Sequence, residues 1–144
     1  MAASQDVVID ASVSLAWLLA EPGTGANLRE LFLAGFLHQR LVHVPALWYW
    51  ECANLLLSMV KRKALKIPEV PGYLELMHYV NPQVDAVPDL HVQHATIELA
   101  QVTGLSYYDA SYIELALRLK SDLATYDEKM KTAAQSLGIK CLDL

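Results

Sequence analysis

The chain has 144 residues, a length suited to one compact domain, residues 1–144, with a single core. Its composition, 54% hydrophobic and 19% charged, excludes a disordered chain. Sixteen acids against eleven bases give a net charge of −5. That is a poor basis for holding nucleic acid by bulk charge, though not for reaching it through a bound metal and a local basic patch.

In chain order, residues 7–10 predict a short buried strand, since the apolar run Val7-Val8-Ile9 ends on the polar Asp10. Ser12 is placed to cap a helix over residues 13–19, which Pro22-Gly23 ends. Leu28, Leu31, Phe32 and Phe36 repeat with a helical period over residues 27–38. Residues 41–44 predict a second strand, and Pro45 opens the turn into a helix over residues 47–63. Leu55, Leu56, Met59 and Val60 form its inward face, and Lys61-Arg62-Lys63 sit at its C-terminal end, where cations complement the helix dipole. Pro68, Pro71 and Gly72 mark a junction before a short helix over residues 73–80. A third strand is expected over residues 84–87. Asp89 caps a helix over residues 91–102 that Gly104 stops, and Ser106 caps the next, over residues 107–119. A strand at 123–125, a helix at 127–137 closed by Gly138, and a last strand at 139–142 complete the pattern. Alternating strands and helices imply an open, mostly parallel sheet covered on both faces.

Cys52 and Cys141 offer neither a disulfide framework nor a zinc spacing and read as small core residues. No apolar stretch approaches the ~20 residues needed to span a bilayer, and the first residues lack the features of a signal peptide. A cytoplasmic protein with no membrane partner is the expectation.

The chemistry concentrates in four acids. Asp10 and Asp127 follow predicted strands, while Glu51 and Asp109 stand in the first turns of predicted helices, all beside apolar residues. Without them, twelve acids would face eleven bases, so the net acidity is largely theirs. Brought within about 5 Å at an effective dielectric of about 20, each like-charged pair would cost roughly 3 kcal/mol. Protons or a cation must then occupy the cluster. Oxygen donors without His or Cys favour Mg²⁺ or Mn²⁺ over zinc. A cation so held can polarise a phosphoryl oxygen and activate a water, which suits hydrolysis of phosphodiesters. Ser12, Asn54, Tyr112 and Thr125 lie two or three residues from these acids and are placed to orient them or their ligands. Each residue also has a plain reading. Asp10 and Asp127 serve as caps, Tyr112 as a core aromatic, and Asn54 as an exposed polar residue.

Taken in order, the segments Val7-Val8-Ile9-Asp10-Ala11-Ser12-Val13, Pro45-Ala46-Leu47-Trp48 through Glu51 to Asn54, Tyr108-Asp109-Ala110-Ser111-Tyr112 and Leu123-Ala124-Thr125-Tyr126-Asp127 resemble a PIN-domain ribonuclease. Within that group the chain resembles a VapC-type toxin of a toxin–antitoxin pair. The resemblance implies an α/β/α sandwich around a mostly parallel sheet of about five strands. It also implies RNA cleavage with Mg²⁺ or Mn²⁺, a homodimer, and inhibition by a cognate VapB-like antitoxin. Asp10, Glu51, Asp109 and Asp127 would be the acidic tetrad that holds the metal, assisted by Ser12, Asn54 and Thr125. Residues 64–89 carry no motif of the family.

Two other readings compete. The same fold with its acids retained can serve as a non-catalytic module that binds an antitoxin, but the complete tetrad weighs against this. A phosphoacceptor receiver domain would need paired acids after the first strand and a lysine after the last, and the chain has neither. His91 and His94 read as solvated. Trp48, Tyr49 and Trp50 read as core or dimer contacts, with RNA stacking the alternative. Lys61, Arg62, Lys63 and Lys66 read as a solvated helix end, with phosphate contact the alternative.

Overall fold

The structure, a computed structural model, describes residues 6–18 and 40–143. Its elements run β1 (Asp6–Ile9), α1 (Ala11–Leu18), β2 (Leu41–Val44), α2 (Leu47–Lys61), a 3₁₀ turn (Ile67–Glu69), α3 (Val70–Val80) and β3 (Gln83–Val84). They continue with α4 (Leu90–Thr103), α5 (Tyr107–Leu119), β4 (Asp122–Ala124) and α6 (Glu128–Ser136). The helix expected over residues 27–38, and the Pro22-Gly23 stop expected for the helix over residues 13–19, lie outside the described residues.

Among the described residues the sheet has four strands in the order β3-β2-β1-β4, all parallel. A single parallel bridge between Leu123 and Cys141 extends it beyond β4, where Leu123 N–H donates to the Lys140 carbonyl and Leu142 N–H to that of Leu123. The strand expected over residues 139–142 is thus reduced to one bridge. Helices flank the sheet in the expected α/β/α sandwich. Helix α1 packs with α2 and α3, while α5 lies on β1 between α4 and α6. Val7, Val8, Ile9, Val44, Leu123 and Ala124 are fully buried, which accounts for strands that read as unbroken apolar runs.

The chain leaves β1 in one direction to build β2 and β3 and later returns to β1's other side to build β4. Reversal of strand order between β1 and β4 opens a crevice at their carboxyl ends. Ile9 pairs with Ala124 there, and Asp10 N–H donates to the Ala124 carbonyl at 3.3 Å. Asp10 and Thr125 are the next residues out.

The third strand is shorter than expected. β2 ends at Val44 because Pro45 has no N–H to continue the ladder. β3 pairs only Gln83 with His43 and Val84 with Val44; its last ladder bond runs from Asp85 N–H to the Val44 carbonyl at 2.9 Å, and the Asp85 side chain meets Arg118. Helix boundaries follow local chemistry elsewhere. Asp89 accepts from Val92 N–H and Gly104, at φ +73°, terminates α4, while Ser106 accepts from Asp109 N–H to start α5. No helix among the described residues is long and apolar enough to cross a membrane.

Candidate functional site

Asp10, Glu51, Asp109 and Asp127 line one open cavity of about 220 Å³, together with Ser12, Asn54, Tyr112 and Met130. The acids reach it from the end of β1, from α2, from α5 and from the segment after β4. These residues, scattered over most of the sequence, meet because the switch point places those four elements around one crevice.

Asp10 is the deepest of the four, at 5% exposure. Its carboxylate accepts from three donors: Ser12 Oγ at 2.8 Å and Val13 N–H at 2.9 Å on Oδ1, and Thr125 Oγ1 at 2.6 Å on Oδ2. The Val13 bond makes Asp10 the N-cap of α1. Ser12, expected to cap, instead lies inside the helix and orients Asp10. A carboxylate is the stronger acceptor at a helix start and suits its dipole, so the helix begins two residues earlier than the sequence implied. Thr125 also accepts from Asp127 N–H at 3.0 Å, linking the two aspartates through one hydroxyl.

Behind Asp10 runs a chain the sequence did not announce. Ser14 Oγ donates to the Asp10 carbonyl at 2.7 Å and accepts from Trp48 Nε1 at 2.9 Å. Ser14 and Trp48 are both fully buried. The bond joins α1 to α2 and fixes the backbone of Asp10 from below.

Tyr112, 1% exposed, donates its hydroxyl to Glu51 Oε1 at 2.6 Å. Its spacing from Asp109 had suggested service to that residue, but the ring reaches across to α2. Tyr112 is a core aromatic, as in its plain reading, with its hydroxyl at the cavity. Burial and the bond to Glu51 push its own ionisation far up. Asn54 lines the cavity from an exposed position one turn after Glu51. Asp127 is exposed and caps α6, accepting from Lys129 N–H at 2.9 Å and Met130 N–H at 3.1 Å.

The electrostatics separate these acids from the others. Asp122 is paired with Arg40 at 3.0 Å, and Arg118 clamps Asp85 at 2.6 Å and the buried Glu114 at 2.8 Å. Among the described residues no ion pair reaches Asp10, Glu51, Asp109 or Asp127. Burial raises the pKa of Asp10 first, and Asp127 raises it further, against the lowering effect of its three hydrogen bonds. Burial likewise raises Glu51, with Asp109 and Asp10 adding to it while the Tyr112 bond opposes. Asp109 is raised by burial and then by Asp127, against a hydrogen bond to Ser106 and the attraction of Lys129.

A divalent cation is the group to compare with such a cavity. Among the described residues no three acids, thiols or imidazoles are drawn together tightly enough to grip an ion as they stand. The donor chemistry nonetheless fits one. Four carboxylates face one space, three of them with their charged forms destabilised, and among the described residues none is in an ion pair, Lys129 only attracting Asp109 from a distance. An all-oxygen set of this kind suits a hard cation.

A stability prediction follows from the raised pKa values. Between the ordinary carboxylate range and a raised folded-state pKa, the folded state holds more protons than the unfolded state. Stability therefore falls as pH rises through that window, and the loss persists above it. Glu51→Gln, which keeps an oxygen for Tyr112, is expected to raise the Tm of metal-free protein at pH 7.5. Below about pH 4, near the unperturbed Glu value, the gain should vanish. Thermal unfolding at the two pH values measures both.

The PIN-domain family profile matches residues 7–135. No curated protein matches the chain. Among solved structures, PAE2754 from Pyrobaculum aerophilum superposes with a TM-score of 0.72 at 19% identity, over 94% of this chain and 88% of that one. FitAcB from Neisseria gonorrhoeae is similar at a TM-score of 0.57 and 14% identity, over 95% of this chain and 96% of that one. PIN domains are generally nucleases and generally use divalent metals. With the profile spanning residues 7–135, from β1 into α6, the chain belongs to the PIN-domain family.

Proposed function

We propose that the protein is a Mg²⁺- or Mn²⁺-dependent endoribonuclease, the toxin of a VapC-type toxin–antitoxin pair. The observation that carries this reading is the set of four carboxylates, none of them in an ion pair among the described residues, lining one cavity at the carboxyl edge of a PIN-type sheet. Asp10, Glu51, Asp109 and Asp127 would hold the ion. When bound, it would supply an activated water and polarise the phosphoryl oxygen under attack.

The chain's own residues set the geometry. Ser12 and Thr125 hold the two oxygens of Asp10, so its carboxylate plane is fixed before any ligand arrives. Tyr112 fixes Glu51 in the same manner. Asn54, on the cavity wall one turn from Glu51, is placed to donate its amide to a phosphate oxygen. Such prior positioning removes reorganisation from the reacting state.

The purified protein is expected to cut single-stranded RNA internally with Mg²⁺ or Mn²⁺ and to leave 5′-phosphate ends. EDTA should abolish the cutting, and either ion in excess should restore it. Cleavage indifferent to EDTA would exclude the mechanism. Pairing with a VapB-like antitoxin is tested by whether the product of an adjacent short reading frame inhibits that cleavage.

A homodimer belongs to the same proposal. Leu90, Val102 and Ile97 leave apolar surface on α4, exposed by 84, 80 and 50%, and the mean hydropathy of the chain is +0.25. Light scattering at micromolar concentration should give twice the chain mass, and a monomer there would refute it.

A further inference from the structure

The cavity of carboxylates has a neighbour of opposite character. Glu51 on α2 and Asp109 on α5 line the acidic cavity, and the residues just before them, Trp50 and Tyr108, line a second cavity of about 250 Å³. Successive residues of a helix are turned about 100° apart, so α2 and α5 present the acids to one cavity and the rings to the other. The two spaces share these helices as a common wall.

The second cavity is mostly apolar. Val87 and Pro88, from the segment after β3, close it opposite the two helices. Trp50, Tyr108 and Val87 are exposed by 72, 64 and 83%, so its rim is bare aromatic and aliphatic surface. One buried charge also borders it. Glu114, 7% exposed, is held by Arg118 through Nε at 3.0 Å and Nη2 at 2.8 Å. Oε1 accepts from both Nε and Nη2, whereas Oε2 accepts from Nε alone and has a further lone pair with which to accept.

We propose that this cavity receives one unpaired nucleobase of the RNA whose phosphodiester lies in the acidic cavity. The base stacks against Trp50 and Tyr108, and Glu114 accepts from an N–H on its edge. The inference rests on the ribonuclease reading. Flat rings at the mouth of a small cleft suit a planar heterocycle, and a buried acceptor suits the N–H groups along a base edge. A base hangs from its own phosphate through a single sugar, a reach that matches two cavities divided by one wall. Only an unpaired base offers both its faces and its edge, so the substrate class is single-stranded RNA or a loop.

The test uses a short single-stranded oligoribonucleotide that the wild-type protein cuts at one site. Trp50→Ala and Tyr108→Ala remove exposed rings and leave the core untouched. Each should raise KM roughly tenfold or more, the scale of lost base stacking. kcat should hardly move, because a base held away from the reacting phosphorus is bound equally in ground and transition states. A series of oligonucleotides, each lacking one base, should show one position near the cut where the loss costs the wild type a similar factor. In Trp50→Ala that position should no longer matter. RNA that the wild type does not cut at all would sink the ribonuclease reading, and this inference with it. RNA cut with unchanged KM in both variants, and an unchanged profile across the base-deleted series, would overturn this inference alone. The cavity would then be a protein-docking surface.

Discussion

Asp10→Asn is expected to abolish most RNA cleavage while leaving a folded protein. The substitution keeps the side chain's volume in a site with 5% exposure and retains an oxygen to accept from Val13 and Ser12. It removes the charge that would draw the cation in. It also places an amide against Thr125, whose hydroxyl now donates to Asp10 Oδ2 and accepts from Asp127 N–H. One change therefore disturbs two of the four acids. Loss of a residue that only orients a ligand costs roughly ten- to hundred-fold, and loss of the ligand itself should exceed that. Ser12→Ala, which removes one of three donors to Asp10, should fall in the smaller range. Initial rates under saturating Mn²⁺, with circular dichroism to confirm the fold, separate the two. Equal losses in the two variants would mean that Asp10 acts by structure alone, and unchanged activity in Asp10→Asn would remove it from the site.

The second large effect concerns stability. Trp48→Ala should destabilise the protein by about 3–5 kcal/mol, the range for deleting a buried aromatic side chain. Trp48 is fully buried, lies edge-on to Tyr49 with ring centroids 4.8 Å apart, and donates to Ser14. Its loss leaves a void and a buried hydroxyl without its donor. Trp48→Phe fills most of the void and forfeits only the hydrogen bond, so it should cost about 1–3 kcal/mol. Urea unfolding followed by far-ultraviolet circular dichroism gives both values. Because Ser14 also holds the Asp10 carbonyl, Trp48→Phe should lower the cleavage rate by more than its stability loss explains. Trp50→Ala, at an exposed ring two residues on, should hardly alter stability.

That contrast shows what was legible in the sequence. Trp48 and Trp50, two residues apart, look alike in a helical pattern, and only the packing of α2 against α1 decides which is buried. The caps at Asp89 and Ser106 and the stop at Gly104 were readable because each is a contact across three or four residues. The placement of Asp10, Glu51, Asp109 and Asp127 around one cavity could be expected from family-like motifs at element ends. Their partners could not. Tyr112 lies 61 residues from Glu51, and Trp48 lies 34 from Ser14, separations at which no local pattern carries information. Local rules also compete with one another. Ser12 was a fair cap until Asp10, two residues earlier, proved the better acceptor. The third strand was likewise set from another segment: β3 pairs only as far as β2 runs, and β2 gives way after Val44 to the turn into α2.

The bond between Thr125 and Asp10 joins residues 115 apart, and β4 completes the crevice only by pairing with β1. A nascent chain carrying Asp10 and Glu51 alone would hold half of the acids and no crevice to set them in. Closing so long a loop comes late, since its entropy cost precedes any reward from the contact. For a protein that cuts RNA as proposed, this delay has a use. Until residues 123–127 have left the ribosome and found β1, the crevice is incomplete and the proposed cutting cannot begin. The distance in sequence between its first and last acids acts as a timer.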